Sequence, residues 1–406
     1  MSHIERVLSA HLDYLSCTIG PRPAGSAANR VVAGYIERVL AACGFTVELQ
    51  PYHCPAWEDL GARLEIAGDV AEVGANAFSP SCDVQAPVVV AGTLAELRAA
   101  RLAGCVAVLY GQLAAAPLAP RAWPHKGELD TAIVAALEAG QPAAVLAVQR
   151  HGPPLVRLIE DPELAIPSAT VPAEVGLALV RQPGVPVHLQ IAARRGAGNA
   201  CNVIGRRGAP DVPRVVLCAH FDTKIDTPGA ADNAAGVAVL LALAELLGAH
   251  HLAVGLELVA FNGEEYLPSG AEEYARRRGA DFEPIIAALN FDGVGQWLAP
   301  NSITLLAGSP AFEAALRGLI VRYPGVVWGA PWIESDHAIF ALRGVPSVAF
   351  TTAVRQPLDH SRADTAEWVS PARLREAAML GAEIVATLQH KPASWTRADA
   401  AVTAAG

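Results

Sequence analysis

The sequence has few charged residues and few aromatic residues, and it has no basic excess. Charged side chains make up 17% of the 406 residues, aromatic side chains make up 6%, and the net charge is −10. Nucleic acids and anionic membranes require a basic surface, so we expect neither as a partner. The apolar share of 52% predicts a large core, and the length suits two or three domains.

The sequence also lacks a cysteine framework and an obvious targeting segment. Its seven cysteines are widely spread and form no C-x-x-C pair, so neither a disulfide scaffold nor a cysteine zinc site is expected. Glu5, Arg6 and Asp13 interrupt the apolar core that a signal peptide would need. No uncharged apolar run approaches the ~18 residues of a membrane span. We therefore expect a cytoplasmic protein with reduced thiols.

The order of strand-like and helix-like segments predicts an α/β fold. Val215–Ala219 is a continuous apolar run, as in a central strand that is covered on both faces. Strands and helices then alternate, which predicts a mixed, mainly parallel sheet sandwiched by helices. Between 59 and 184, short apolar strands alternate with Gly, Pro and Ala-rich helices. We interpret 59–184 as a smaller α/β domain inserted between 1–58 and 185–406 of a larger one.

Side chains that can bind metal follow four strands of the predicted sheet. They are His220 and Asp222 after Ala219, Glu264 and Glu265 after the strand ending at Phe261, Asp292 after Ile285–Phe291, and His360 beyond 347–351. In an open α/β sheet, ligands bind outside the carboxyl ends of the strands. We therefore expect these side chains to meet at one edge of the sheet.

Each of these residues has an ordinary structural explanation when it is taken alone. Asp232 opens a predicted helix and is typical of an N-cap, while Glu264 and Glu265 suit the first turn of a helix. Asp292 is typical of a turn, and His360 of a loop. All of these explanations would have to hold together, so the joint arrangement favours a metal site.

The residue types also suit a centre with two divalent ions. Zinc binds imidazole and carboxylate ligands, and a pair of ions ~3.5–4 Å apart needs a bridging carboxylate. Asp232, Glu265 and Asp292 supply three carboxylates. Glu264 is then surplus, which suits a general base. Asp222 lies two residues from His220 and is placed to accept the second imidazole N–H.

Several segments resemble the co-catalytic zinc aminopeptidase family, whose relatives include glutaminyl cyclase and the transferrin receptor. The resemblance covers most of the chain. It rests on Gly20–Ser26, Asn202–Gly205, Ala219–Thr223, Gly229–Gly236, Asn262–Glu265, Leu289–Asp292, Ser335–His337 and His360–Thr365. Ala231 stands where the family commonly has Asp, and Tyr266–Gly270 departs from the usual glycine-rich run.

The resemblance implies a zinc exopeptidase fold and a division of the metal ligands. His220 and Asp292 would hold one zinc ion, Glu265 and His360 the other, and Asp232 would bridge them. The inserted segment resembles a protease-associated domain.

The implied function is removal of N-terminal residues from peptides by a two-zinc centre with Glu264 as general base. One alternative is a carboxypeptidase, a hydrolase of a small non-peptide amide, or a glutaminyl cyclase-like enzyme on the same fold. Another is a catalytically silent binding protein. The retention of His220 and His360 favours two metals, because such cyclases hold one.

Overall fold

The structure, a computed structural model, describes residues 1–120, 127–150, 152, 154–354 and 358–398. The helices are α1 (His3–Asp13), α2 (Ala27–Ala42), α3 (Leu94–Ala99), α4 (Glu128–Gly140), α5 (Ala173–Arg181), α6 (Ala235–Gly248), α7 (Ser269–Arg278), α8 (Pro310–Ile320), α9 (Ala338–Ala341), α10 (Pro371–Thr387) and α11 (Ala393–Thr396). Short π-helical segments lie at Tyr14–Ile19 and Ala230–Ala234, and 3-10 turns at Gly111–Ala114 and Ala366–Trp368.

The strands are β1 (Thr46–Ile66), β2 (Asp69–Ala71), β3 (Gly74–Ala75), β4 (Cys82–Ala91), β5 (Val106–Leu109), β6 (Ala144–Val148), β7 (Ser168–Val171), β8 (Pro186–Arg207), β9 (Arg214–His220), β10 (Gly255–Phe261), β11 (Ile285–Phe291), β12 (Asn301–Leu306), β13 (Val326–Trp328) and β14 (Ser347–Thr352). The predicted mixed α/β class is confirmed.

The chain forms two compact units. One contains Met1–Cys54 and Asn199–Gly406, and the other contains Pro55–Gly198. The second unit thus extends beyond the predicted range 59–184 at both ends. The sequence does not mark these boundaries, because β1 and β8 each continue across one of them without a break.

The first unit contains a sheet whose central strands are parallel. Its strand order is β13-β12-β14-β11-β9-β10-β8. β9 pairs in parallel with β10 and β11, and β11 pairs in parallel with β14. β8 and β12 pair in antiparallel fashion with their neighbours. The carboxyl ends of the four parallel strands therefore lie at one edge, and their amino ends lie at the opposite edge.

Helices cover both faces of this sheet. Alternate residues of each strand point to opposite sides, so apolar strands offer an apolar surface to helices on each face. In β9, Leu217 belongs to the larger core, which includes residues of α1, α2, α6, α8 and α10. Its neighbour Cys218 belongs to a smaller core, which includes residues of α7 and α9. α10 begins at Pro371, and the hydroxyl of its N-cap Ser370 accepts the Arg373 N–H.

One apolar helical segment, Ala230–Gly248, is long enough to cross a membrane by length and composition. It is 89% buried inside the protein. Every residue from Ala235 to Ala244 is inaccessible to solvent. This burial is typical of a central core helix.

The inserted unit has its own small sheet and cores. β4, β5, β6 and β7 pair in parallel in that order, and β3 pairs antiparallel to β7. α3 and α4 contribute to one apolar core, and α5 contributes to another. The described residues of this unit contain no group of three side chains able to hold a metal ion.

Candidate metal centre

The carboxyl ends of three adjacent parallel strands deliver the predicted side chains. β9 ends on His220 itself, and Asp292 directly follows β11. After β10 the chain turns at Gly263, whose φ of 80° is the left-handed region that glycine tolerates best, and Glu264 and Glu265 follow. These two acids precede α7, which begins at Ser269, so they are not in the first turn of a helix.

The first group of potential ligands is His220, Asp232 and Asp292, all of which are buried. The Nε2 atom of His220 lies 3.1 Å from Oδ1 of Asp232 and 3.6 Å from Oδ1 of Asp292. One ligand atom from each residue falls within 4.8 Å of the others. An imidazole and two carboxylates at these separations can converge on a single cation.

The second group is Asp232, Glu265 and His360. The Nε2 atom of His360 lies 3.0 Å from Oδ2 of Asp232 and 3.3 Å from Oε2 of Glu265. Asp232 thus belongs to both groups and turns one oxygen toward each imidazole. The structure therefore brings all five predicted ligands together, and it gives Asp232 the position of a bridging carboxylate.

The local backbone explains why Asp232 is not a helix cap. Asp232 and Asn233 both have non-helical dihedral angles, the bond between them is cis, and α6 begins only at Ala235. The side chain of Asn233 donates to the Phe291 carbonyl and accepts the Gly236 N–H. These bonds attach the loop to α6 and to β11, the strand that leads into Asp292.

Glu264 lies beside the two groups but belongs to neither. Its Oε2 atom is 3.9 Å from Nε2 of His220. Burial raises the pKa of Glu264 well above its ordinary value, the His220 charge opposes this, and the Asp292 carboxylate adds to it. A carboxylate with a raised pKa, next to potential metal ligands, has the property that a general base needs near neutral pH.

Asp222 faces the second imidazole nitrogen of His220, the atom that it is predicted to hold, and it also contacts the backbone of the next strand's loop. Its Oδ1 atom lies 3.6 Å from Nδ1 of His220, which is longer than a hydrogen bond, and this buried nitrogen has no hydrogen-bond partner among the described residues. The Asp222 carboxylate also accepts the backbone N–H groups of Glu264 and Glu265, at 3.2 and 3.3 Å. Asp222 thus fixes the turn that carries these two acids.

Sequence reasoning missed Arg22, which is fully buried behind the loop that carries Asp232. Its guanidinium donates to five backbone carbonyls, those of Leu15, Gly20, Phe221, Pro228 and Gly229. Phe221 lies between His220 and Asp222, and Gly229 begins the segment before Asp232. The signal was the arginine of Gly20–Ser26, one of the segments that carry the family resemblance.

Asp364 is a second supporting residue that the sequence did not single out. Its two carboxylate oxygens accept the backbone N–H groups of Ala231 and Asp232, at 2.8 and 3.0 Å. Burial raises the pKa of Asp364 to about 7. Asp364 thus orients the backbone of Asp232 and does not itself belong to either group of potential ligands.

The segment Ser335–His337 packs beneath the same site. Asn290, two residues before Asp292, donates from Nδ2 to the Ser335 hydroxyl at 2.9 Å, so Ser335 is fixed by β11. Asp336 is buried, and one of its oxygens has no hydrogen-bond partner among the described residues. Burial raises the pKa of Asp336 to about 8, and the nearby carboxylates of Asp222 and Asp292 add to this rise.

The balance of acidic and basic groups at the site indicates whether the site suits divalent cations. The neighbouring bases are Arg22, Lys224 and two imidazoles. Seven carboxyl groups lie in or against the site, namely those of Asp222, Asp232, Glu264, Glu265, Asp292, Asp336 and Asp364. Buried carboxylates of one sign repel each other and must take up protons or bind cations. The mixture of imidazole and carboxylate donors, divided between two groups with a shared member, fits two zinc-like ions.

Comparisons with known proteins agree with this geometry. Residues 202–385 match the family described as "Peptidase family M28". The chain is 22% identical to aminopeptidase YwaD of Bacillus subtilis (strain 168), over 90% of this chain and 81% of that protein. It is 26% identical to the probable lipoprotein aminopeptidase LpqL of Mycobacterium tuberculosis, over 86% of this chain and 72% of that protein.

Among solved structures, BSAP, a zinc aminopeptidase from Bacillus subtilis, superposes with a TM-score of 0.78 at 22% identity. The superposition covers 97% of this chain and 98% of that chain. At this identity the likeness establishes the fold.

Proposed function

We propose that this chain, whose residues 202–385 match peptidase family M28, is a metal-dependent aminopeptidase with two zinc ions. The observation that carries this proposal is the pair of acid–imidazole groups that share Asp232. The relatives that match most of the chain are named aminopeptidases, and this supports peptides with a free N-terminus as substrates.

We assign the ligands from the two groups of the structure. His220 and Asp292 would hold one ion, Glu265 and His360 would hold the other, and Asp232 would bridge them. When bound, two such ions supply Lewis-acid polarisation of the scissile carbonyl and lower the pKa of the attacking water. Asp222 and Asp364 hold the backbones of Glu265 and Asp232 in place, because each carboxylate accepts two N–H groups there.

Glu264 moves the proton in this mechanism. Its carboxylate takes a proton from the attacking water at the carbonyl and delivers it to the nitrogen of the leaving amine. The Asp222 carboxylate holds the Glu264 backbone N–H, and this limits how far the side chain can shift. Burial of Glu264 raises its affinity for the proton between these two transfers.

Two further assignments belong to this proposal. We propose that the inserted unit, Pro55–Gly198, is protease-associated-like, on the basis of its sequence resemblance and its small parallel α/β core. We also propose a reducing, cytoplasmic setting, which the seven free cysteines support.

The most direct test compares substrates and metal states in one assay. The purified chain would be stripped with a chelator, restored with zinc, and given aminoacyl chromogenic amides, N-blocked peptides and peptides with free C-termini. We expect two zinc ions per chain and zinc-dependent cleavage of substrates with a free amine. Cleavage of N-blocked peptides from the C-terminus would instead indicate a carboxypeptidase. One zinc ion per chain with cyclisation of N-terminal glutamine would indicate a cyclase, and no turnover on any substrate would indicate a silent binding protein.

A further inference from the structure

The amino ends of the same parallel strands form a second polar site, at the opposite edge of the sheet from the metal centre. Arg214 is the first residue of β9, Glu257 lies near the start of β10, and Pro284 directly precedes β11. These ends surround a cleft of about 370 Å³. We call it the arginine cleft, and it is lined by Glu48, Gln50, Arg206, Pro210, Arg214, Glu257, Tyr274, Arg277, Arg278, Asp281 and Pro284.

Glu257 is the buried centre of this cleft, and its hydrogen-bonding capacity is filled. Its Oε1 atom accepts from the Tyr274 hydroxyl at 2.5 Å and from Arg278 at 2.6 Å. Its Oε2 atom accepts from Arg278 at 2.8 Å and from Arg206 at 2.9 Å. A carboxylate offers about four lone-pair positions, so Glu257 has no good position left for another donor.

Arg214 is an arginine of the cleft that makes no hydrogen bond to Glu257. Its Nε atom lies 4.0 Å from Oε2 of Glu257, beyond hydrogen-bond distance, although its side chain is only 12% exposed. The described part of the chain gives its guanidinium no hydrogen-bond acceptor. Arginine cannot lose its proton in a protein, so this half-buried group stays charged. The Glu257 carboxylate at 4.0 Å balances part of this charge, and the N–H groups of Arg214 remain available to a further anion.

The remaining charges of the cleft do not compensate Arg214. Arg206 is shared between Glu257 and Glu48, and it donates to Glu48 at 2.5 Å. Arg277 donates to Glu273, outside the lining, at 2.6 Å. Arg206, Arg277 and Arg278 thus each donate to a carboxylate, whereas Arg214 has no such hydrogen bond among the described residues.

We propose that the arginine cleft binds a small molecule through a carboxylate or phosphate group, with Arg214 as the principal anchor. The planar fork of a guanidinium matches the paired oxygens of either group. The volume falls within the range of about 300–1,000 Å³ that small-molecule sites occupy. A single guanidinium without a hydrogen-bond acceptor suits one anionic head group, and this argues against a polyanion.

The test is thermal unfolding of the zinc-loaded full chain in sodium phosphate, sodium succinate and sodium chloride at matched ionic strength. The variants are Arg214→Gln and, as a matched control, Arg322→Gln. Arg322 is a 58% exposed surface arginine that pairs with Glu383 away from the cleft. Any binding of these anions at the zinc ions is common to all three proteins, so the comparison isolates the contribution of Arg214.

In the wild type and in Arg322→Gln, we expect phosphate or succinate to raise the Tm by about 2 °C or more above the chloride value. In Arg214→Gln, less than half of that rise should remain. In chloride, Arg214→Gln should melt close to the wild type, because the hydrogen bonds of Glu257 come from Tyr274, Arg206 and Arg278 and not from Arg214. A larger rise in Tm in phosphate would indicate a phosphate head group, and a larger rise in succinate would indicate a carboxylate.

Two results would overturn the proposal: a full anion-dependent rise in Arg214→Gln, or no rise above chloride in the wild type. A lower Tm of Arg214→Gln in every salt, with an unchanged anion-dependent rise, would show that Arg214 only helps to neutralise Glu257. If Arg214→Gln does not fold, Arg214→Lys keeps the charge and removes the fork. It should then show a reduced rise, and an undiminished rise would also reject the site.

Discussion

The two edges of the central sheet carry clusters of charged side chains on the same strands, and the charges of the two clusters are balanced in different ways. β9 begins with Arg214 and ends with His220, while β10 carries Glu257 near its start and leads to Glu264 and Glu265. At the carboxyl edge, acids exceed the bases that face them. At the amino edge, the arginines are mostly paired with acids, and Arg214 has no hydrogen-bond acceptor among the described residues.

The difference lies in how each cluster reaches neutrality. A network such as Glu257 with Arg206 and Arg278 is mostly internally paired, so it can form without any bound ion. The acid cluster has too few bases for internal pairing and needs cations or protons. The sign and size of the unpaired charge therefore distinguish a site that requires a metal from one that accepts an optional anion.

The largest effect should come from the shared carboxylate. Asp232→Asn removes the charge that serves both ligand groups, so we expect both zinc ions to be lost and peptidase activity to fall to background. Elemental analysis and the chromogenic assay would measure these two quantities. Asp211→Asn, at an exposed acid of the same unit, should change neither. Retention of two ions in Asp232→Asn would refute the bridging assignment.

A smaller but still large effect should follow from Glu264→Gln. The amide cannot accept a proton, so kcat should fall by about 10²–10⁴-fold. The metal content should stay at two ions per chain, because Glu264 belongs to neither ligand group. Glu272→Gln, an exposed acid on α7, is the matched control. Wild-type turnover in Glu264→Gln would remove Glu264 from the mechanism.

An intermediate effect is expected at Asp364, which holds the Asp232 backbone without a place among the ligands. Asp364→Asn should weaken zinc binding by about 10–100-fold, the usual range for residues that orient a metal ligand. Competition against a calibrated chelator would measure this change. Glu367→Gln alters an exposed acid in the same loop and should leave zinc affinity as it is. An unaltered affinity in Asp364→Asn would limit that residue to a structural role.

The smallest effect is the pH dependence of the Tm, which we expect to arise from the carboxyl edge of the sheet and not from the amino edge. The pKa of Asp336 is raised to about 8 and that of Asp364 to about 7, from 3.8. The folded state thus binds more protons than the unfolded state across this interval, so its free energy of unfolding falls as the pH rises. We expect the Tm of the metal-free protein to decrease between about pH 5 and pH 8.

Zinc should largely abolish this slope, because the cations replace the protons. Addition of an anion that fills the arginine cleft should raise the Tm without changing the slope. A metal-free Tm that increases over the same pH range would contradict the raised pKa values.

The sequence was sufficient to predict the α/β class and the meeting of five candidate ligands at one sheet edge. These predictions depend on local signals, namely apolar runs followed by His, Asp or Glu, and on the parallel order that such runs imply. The hydrogen bonds that Asp222 accepts from Glu264 and Glu265 were not predicted, because their donors are placed by the turn at Gly263, which closes only in three dimensions. Arg22, Asp364 and the arginine cleft are formed by residues far apart in sequence, and no spacing rule joins them.

The hydrogen bonds of Arg22 and Asp364 also determine when the metal centre can form during synthesis of the chain. The loop before Asp232 is held by a guanidinium near the beginning of the chain and by a carboxylate near its end. A nascent chain that lacks its last segment has neither Asp364 nor His360. Under the proposed ligand assignment, high-affinity zinc binding would therefore require that synthesis has passed Asp364.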